Sequence, residues 1–197
     1  MKYFSLFLLT AIVFLTSGCA GLFVAGAATT ANIVTDPRSA KTIWRDTEIE
    51  HDISNISNTA PYDSRLRITA SSYDGTVVLM GQSPTEALLA QFEAQVKTVQ
   101  GVKKVHNQVR LKTPLSLGQI SQDSWLTTKV KSSLLADGDL TTVKIKVFTE
   151  DSEVFLLGYV TPSQAEKATN IARNISGVKQ VIKAFEYVAE PQPAMVY

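Results

Sequence analysis

The feature that most constrains this chain is that it is written twice. Arg67-Ile68-Thr69-Ala70 and Asp74-Gly75-Thr76-Val77-Val78-Leu79-Met80-Gly81 align without gaps on Lys144-Ile145-Lys146-Val147 and Asp151-Ser152-Glu153-Val154-Phe155-Leu156-Leu157-Gly158, an offset of 77 residues. Downstream, Gly101-Val102-Lys103-Lys104-Val105 meets Gly177-Val178-Lys179-Gln180-Val181, and upstream Trp44 and Trp125 each open a helical pattern. Self-similarity at a fixed period marks a duplicated structural unit. The fold is therefore expected as two like modules, residues 41–112 and 125–189, joined by a linker at 113–124.

Each copy reads in the same order. A helix comes first, with Ile49, Ile53 and Ile56 in one copy and Leu126, Val130 and Leu134 in the other at the three-to-four spacing of a single apolar stripe. Two strands follow, Arg65 to Ser72 with Thr76 to Gln82, and Lys144 to Thr149 with Glu153 to Val160; Asp74-Gly75 and Asp151-Ser152 sit where a tight hairpin turn is needed. A second helix runs from about Pro84 to Gln100 and from Pro162 to Ser176, with Gly101 and Gly177 suited to the left-handed position that ends one. A last strand, Lys104 to Leu111 or Lys179 to Val188, must return across that helix. The expectation is an α+β fold: helix-strand-strand-helix-strand in each module, a three-stranded mixed sheet, and both helices on one face.

The N-terminus sets the compartment. Met1-Lys2 precedes an uncharged apolar run from Phe4 to Leu15, then Thr16-Ser17-Gly18 and Cys19, the only cysteine. This order reads as a secretory signal, residues 1–18, cut before Cys19. A thiol at that place resembles the acylated cysteine of bacterial lipoproteins, which implies a body hung from a membrane by lipid through a tether at 19–40. The pattern departs from a lipobox in having Thr16 three places before the cysteine, with the leucine at Leu15. A spanning anchor is the alternative, because no charge falls between Lys2 and Asp36. Gly18, Gly21, Gly26 and the Ala/Thr cluster at 27–31 dilute the hydrophobicity against it. Ala20 is not the aspartate that resembles an inner-membrane retention signal, which points to the outer membrane.

Removing residues 1–18 from 197 leaves 179, enough for one ordinary domain or two small ones, and removing Lys2 balances the basic residues against 18 acids. A neutral body cannot hold nucleic acid or an anionic bilayer by bulk charge, so any recognition of anions must be local. Catalysis has no constellation either: His51 and His106 fall at non-equivalent places in the two copies, and no phosphate loop, metal spacing or Ser/His/acid set recurs. Asp46, Glu48, Glu50 and Asp52 form a dense acidic run that reads as a solvated helix face, since it lacks the turn glycine of an oxygen-ligand loop. The chain is thus expected to bind rather than turn over, without metal or cofactor.

The strand ending Val-x-Leu-x-Gly and the later helix ending Gly-Val-x-x-Val resemble the BON domain, with Gly81 and Gly158 as the matching structural glycines. Asp36-Pro37-Arg38-Ser39 and Gly81-Gln82-Ser83-Pro84 look like segments of the dual BON-domain outer-membrane lipoproteins of Gram-negative bacteria. That resemblance covers nearly all of the mature chain. It implies a periplasm-facing module without known catalysis, linked to outer-membrane integrity and to recognition of anionic phospholipid. An interior strand glycine costs roughly 0.5 to 1 kcal/mol against alanine, so Gly81 and Gly158 imply that a helix or the neighbouring copy comes too close for a side chain.

The two first helices differ in charge. From Trp44 to Ile53 four acids stand against Arg45, whereas Trp125 to Ala136 carries Lys129 and Lys131 and no acid. An indole beside lysine, off the buried stripe, is how interfacial helices are built. The expected contact with anionic phospholipid is Trp125, Leu126, Lys129, Val130 and Lys131, chiefly the tryptophan and the lysines. The rival reading is a scaffold for an envelope assembly protein, with Trp125 capping the core. Leu115, Leu117 and Ile120 in the linker are expected to pack between the modules, and the tail at 190–197, opened by Glu190-Pro191-Gln192-Pro193, to stay out of a sheet.

Overall fold

The computed structural model describes residues 36, 38–141 and 143–189. The expectations for the signal, Cys19 and the tail at 190–197 lie outside the described residues. Module 1 runs α1 (Ala40–Ser57), β1 (Arg67–Tyr73), β2 (Thr76–Ser83), α2 (Glu86–Val96) and β3 (Lys104–Leu111); module 2 repeats it as α3 (Leu117–Leu135), β4 (Lys146–Glu150), β5 (Glu153–Val160), α4 (Pro162–Arg173) and β6 (Gln180–Tyr187). In each sheet the second strand is central, antiparallel to the first and parallel to the third. The fold is the α+β pair expected from the repeat.

Hairpin chemistry sets the register. Asp74 and Gly75 have φ of 48° and 79°, and Asp151 and Ser152 have 54° and 64°. Positive φ at both central residues is the turn whose twist matches a two-residue hairpin. Gly81 (φ 127°) and Gly158 (φ 156°) are needed for a reason other than the expected one. A Cβ there would stand 2.0 Å from the Arg67 carbonyl oxygen or 2.6 Å from that of Lys144, so the obstacle is the backbone of the partner strand, not a helix or the other copy.

Each central strand is buried on both faces. Val77 and Leu79 meet Ile49, Ile53, Leu88, Phe92 and Val96 on the helix side, and Val154 and Leu156 meet Val130, Leu134, Ala168 and Ala172. The opposite faces pack on each other: Val78 and Met80 of β2 meet Phe155 and Leu157 of β5, with Phe148, Ile182 and Ala184 around them. The result is four layers, helices, sheet, sheet, helices. Burying those four side chains contributes on the order of 6 to 12 kcal/mol before entropy is counted.

Ion pairs rim this joint, with Arg67 to Glu150 at 3.0 Å and Arg110 to Glu153, Lys112 to Asp151 and Lys146 to Glu50 each at 2.7 Å. Glu150 lies inside it, 6% exposed, and also accepts from Thr69 and Gln82. Burial pushes its carboxyl above the ordinary range although Arg67 pulls the other way. The sheet faces fix the modules; of the linker residues expected between them, Leu115 is buried and Ile120 half-buried, whereas Leu117 is 85% exposed on the first turn of α3.

Candidate functional site

The two first helices are positioned by one device, an aspartate that ties each to its own hairpin. Asp46 accepts from the backbone N–H groups of Asp74 (2.8 Å) and Gly75 (2.9 Å) and from the Ser72 hydroxyl (2.6 Å); Asp123 accepts from the N–H groups of Asp151 (2.8 Å) and Ser152 (2.9 Å). Turn amides that face a low-dielectric interior must find acceptors, and a carboxylate takes two. Burial acts against the Asp46 charge, yet these donors and Arg38 hold its carboxyl below the ordinary range. Arg38 completes the arrangement: it bonds Asp46 at 2.6 Å and Asp36 at 2.7 Å and lies 3.6 Å from the Tyr73 ring centroid, while Tyr73 meets Tyr159 of the other module.

This corrects the reading of the acidic run. Asp46 is buried and Glu50 bonds the Ser71 hydroxyl, the Ser72 N–H and Lys146, leaving Glu48 and Asp52 as the solvated acids. It also corrects the pairing of the tryptophans. With Asp46 on Asp123, Ile49 on Leu126 and Ile53 on Val130, the offset is 77 and Trp125 falls on Glu48, not on Trp44.

The exposed side of α3 then takes shape. Its start is set by a capping box between Ser116 and Gln119, so the helix occupies part of the segment expected as linker. Leu126 (2% exposed) and Val130 (0%) belong to the core, so neither is available at the surface as a lipid contact. At 100° per residue, Leu117, Trp125 and Leu135 fall within an arc of about 80° on the opposite side, with Ser121, Thr128 and Ser132 between them. Trp125 is 65% exposed and Leu135 68%, so the indole does not cap the core.

Lys131 is exposed beside this arc and has no hydrogen-bond or ion-pair partner among the described residues. Lys129 donates to the Ser176 carbonyl oxygen at 3.0 Å, which ties its ammonium to the turn after α4. The only carboxylate on α3 is Asp123, which is buried. Sequence reasoning missed Leu117 and Leu135. The adjacent pair Leu134-Leu135 was the available signal, because neighbours 100° apart cannot both enter one stripe.

On α1 the same outward surface has another chemistry. Trp44 is 70% exposed, but its indole N–H donates to Glu48 at 3.1 Å. Arg45, His51 and Asp52 line the open cleft beside it. His51 and His106 are both exposed. Among the described residues no group of three His, Cys, Asp or Glu side chains could hold a metal ion, and no helix is long and apolar enough to cross a membrane.

Paired modules, a two-sided central strand and a φ-positive glycine closing it define a class. The BON domain model matches residues 45–113 and 122–189, and the chain belongs to that family as an outer-membrane lipoprotein with two BON domains. It is 43% identical over 182 residues to the outer membrane lipoprotein DolP of Haemophilus influenzae, covering 92% of this chain and 94% of that protein. Over 154 residues it is 40% identical to the 21 kDa hemolysin of Actinobacillus pleuropneumoniae, 78% of this chain and 79% of the relative. Osmotically-inducible protein Y of Escherichia coli is 29% identical over 119 residues, 60% and 56% of the two chains. A lipid-anchored place in the outer membrane accords with these relatives.

Proposed function

We propose that the protein is anchored through an acylated Cys19, faces the periplasm, and binds anionic phospholipid through the outward face of α3, thereby supporting outer-membrane integrity. The activity is binding, without turnover. The observation that supports this is the surface of α3: Leu117, Trp125 and Leu135 exposed on one arc, Lys131 beside them without a partner among the described residues, and no exposed carboxylate on the helix. Lys129 stands at the margin of the face, and Leu126 and Val130 hold it in place from the core.

Magnitudes explain why an anchor matters. A partly inserted tryptophan contributes about 2 kcal/mol and each partly inserted leucine about 1 kcal/mol, and a lysine near an anionic surface adds about 1 kcal/mol. A total of about 5 kcal/mol corresponds to a dissociation constant of about 0.2 mM. Such contact is feeble from free solution and substantial when a tether holds the module at millimolar effective concentration. The test is vesicle sedimentation of the mature chain carrying Cys19→Ala, on phosphatidylglycerol and on phosphatidylcholine. Wild type should pellet with the anionic vesicles, and Trp125→Ala and Lys131→Glu should not; equal pelleting of all three would refute the surface.

A further inference from the structure

The face of α3 ends beside a cavity that the proposed contact does not use. It has a volume of about 150 Å³. Leu134, Leu140 and Val147, all buried, form its floor, and the half-buried Val143 and Ile145 form its wall. At its mouth stand two exposed residues of the lipid-facing helix, Leu135 and Lys131. Lys131 supplies the only polar side-chain group among these residues.

The two modules also differ in how they fill their cores. The N-caps Thr85 and Thr161 place α2 on α4 at an offset of 76. Leu89, Phe92 and Val96 of module 1 thereby fall on Ala165, Ala168 and Ala172 of module 2. The loop after the first helix also differs. Module 1 fills its core from there with Tyr62, whose ring meets Phe92 edge-on at 5.3 Å, whereas module 2 sends in the smaller Leu140.

The walls are apolar and the hollow opens to solvent at Leu135 and Lys131, so a hydrocarbon segment that enters it displaces water from apolar surface, which is favourable. An apolar hollow with an ammonium at its rim that has no partner among the described residues is complementary to one kind of molecule, an amphiphile that joins a short run of methylenes to an anion. We infer that module 2 holds part of one acyl chain of an anionic phospholipid in this cavity while Lys131 pairs with the phosphate. The inference rests on the proposed function and names the part of the lipid that the same surface takes up. Leu135 serves both, as the end of the exposed arc and the lip of the cavity. It makes binding depend on the chain as well as the headgroup, because a headgroup alone leaves the cavity empty.

The experiment uses the mature chain with Cys19→Ala and methyl NMR. The probes are monomeric dihexanoyl phosphatidylglycerol, its headgroup glycerophosphoglycerol, and dihexanoyl phosphatidylcholine. The short-chain anionic lipid should shift the methyl signals of Leu140, Val143, Ile145 and Val147, the headgroup alone should leave them still, and the neutral lipid should bind several-fold more weakly. Lys131→Gln should erase that preference. Val143→Phe, which fills the cavity, should weaken the methyl-detected binding at least tenfold while vesicle pelleting through Trp125 falls only a few-fold. Ile145→Phe repeats the test if Val143→Phe fails to fold, and the wild-type titration requires neither. Shifts confined to Trp125, Leu117 and Lys131 would overturn the cavity and leave the proposed function standing. Vesicle pelleting that survives Trp125→Ala and Lys131→Glu would overturn the proposed function itself.

Discussion

Helices α1 and α3 are the same element twice, and they face solvent with opposite chemistry. Both bury the same stripe, Asp46, Ile49 and Ile53 in one and Asp123, Leu126 and Val130 in the other, and both fix their hairpins through the buried aspartate. Outside that stripe α1 shows Glu48, His51 and Asp52 around a tryptophan whose N–H is already occupied, and α3 shows two leucines, a tryptophan and a lysine without a partner among the described residues. Duplication preserved what folding requires and released the rest. A function that differs between the copies must therefore be sought on the surfaces that the packing does not constrain.

The largest effects should appear where the copies are alike. Gly81→Val and Gly158→Val each force a side chain onto positive φ and against a backbone carbonyl, an expected loss of about 3 kcal/mol or more by denaturant unfolding. Gly81→Val should be the worse of the two, given the closer approach of Arg67. Equal and mild losses would show that the strands can separate at these points.

The aspartates come next and separate the modules. Asp46→Ala strands two turn amides and the Ser72 hydroxyl and leaves Arg38 with Asp36 alone, and should cost about 2 to 4 kcal/mol; Asp123→Ala strands two amides and should cost about 1 to 2 kcal/mol. The Asp46 carboxyl titrates below its ordinary value of 3.8 in the folded protein, so its stabilisation is fully present above pH 3.8 and is lost as pH falls through the lower folded value. Acid unfolding of Asp46→Asn should show less pH dependence than wild type in that window.

A smaller change in stability should carry a large change in binding. Trp125→Glu writes the residue of α1 into α3, and because the site is 65% exposed the fold should lose no more than about 0.5 kcal/mol. Affinity for phosphatidylglycerol vesicles should drop at least tenfold, and the same vesicles should not notice Trp44→Glu. Smallest of all is Glu150→Gln at the joint between the sheets. Its carboxyl is raised above 4.5 in the folded state, so its contribution is greatest below pH 4.5 and declines as pH rises through the folded value. The glutamine variant should match or exceed wild-type stability at pH 7 by about 1 kcal/mol or less and lose that advantage in acid.

What could be read beforehand followed from local rules. Hairpin turns, helix stripes and the mixed sheets are dictated within a few residues of themselves, and they stand as the repeat implied. The joint between the modules was encoded too, in the unbroken runs Val77-Val78-Leu79-Met80 and Val154-Phe155-Leu156-Leu157, because a strand buried on both faces does not alternate. What covers the second face is not a local property, so the runs by themselves imply strands and not their partner. Asp46 was hidden for the same reason: an acid beside three other acids looks solvated until the hairpin 28 residues away presents its amides. Leu126 and Val130 show the converse limit. Their heptad-like spacing names a buried stripe, and only Trp125 and Lys131 of the expected contacts remain both exposed and unengaged.

The two tryptophans make the central comparison directly measurable, since each first helix carries one and the chain has no other. Fluorescence of Trp44→Phe, which reports Trp125 alone, and of Trp125→Phe, which reports Trp44 alone, should be recorded on vesicles of brominated phosphatidylglycerol. Trp125 should show a blue shift and strong bromine quenching, and Trp44 neither. Quenching of Trp44 with Trp125 still in water would place the membrane against α1 and refute lipid contact through α3.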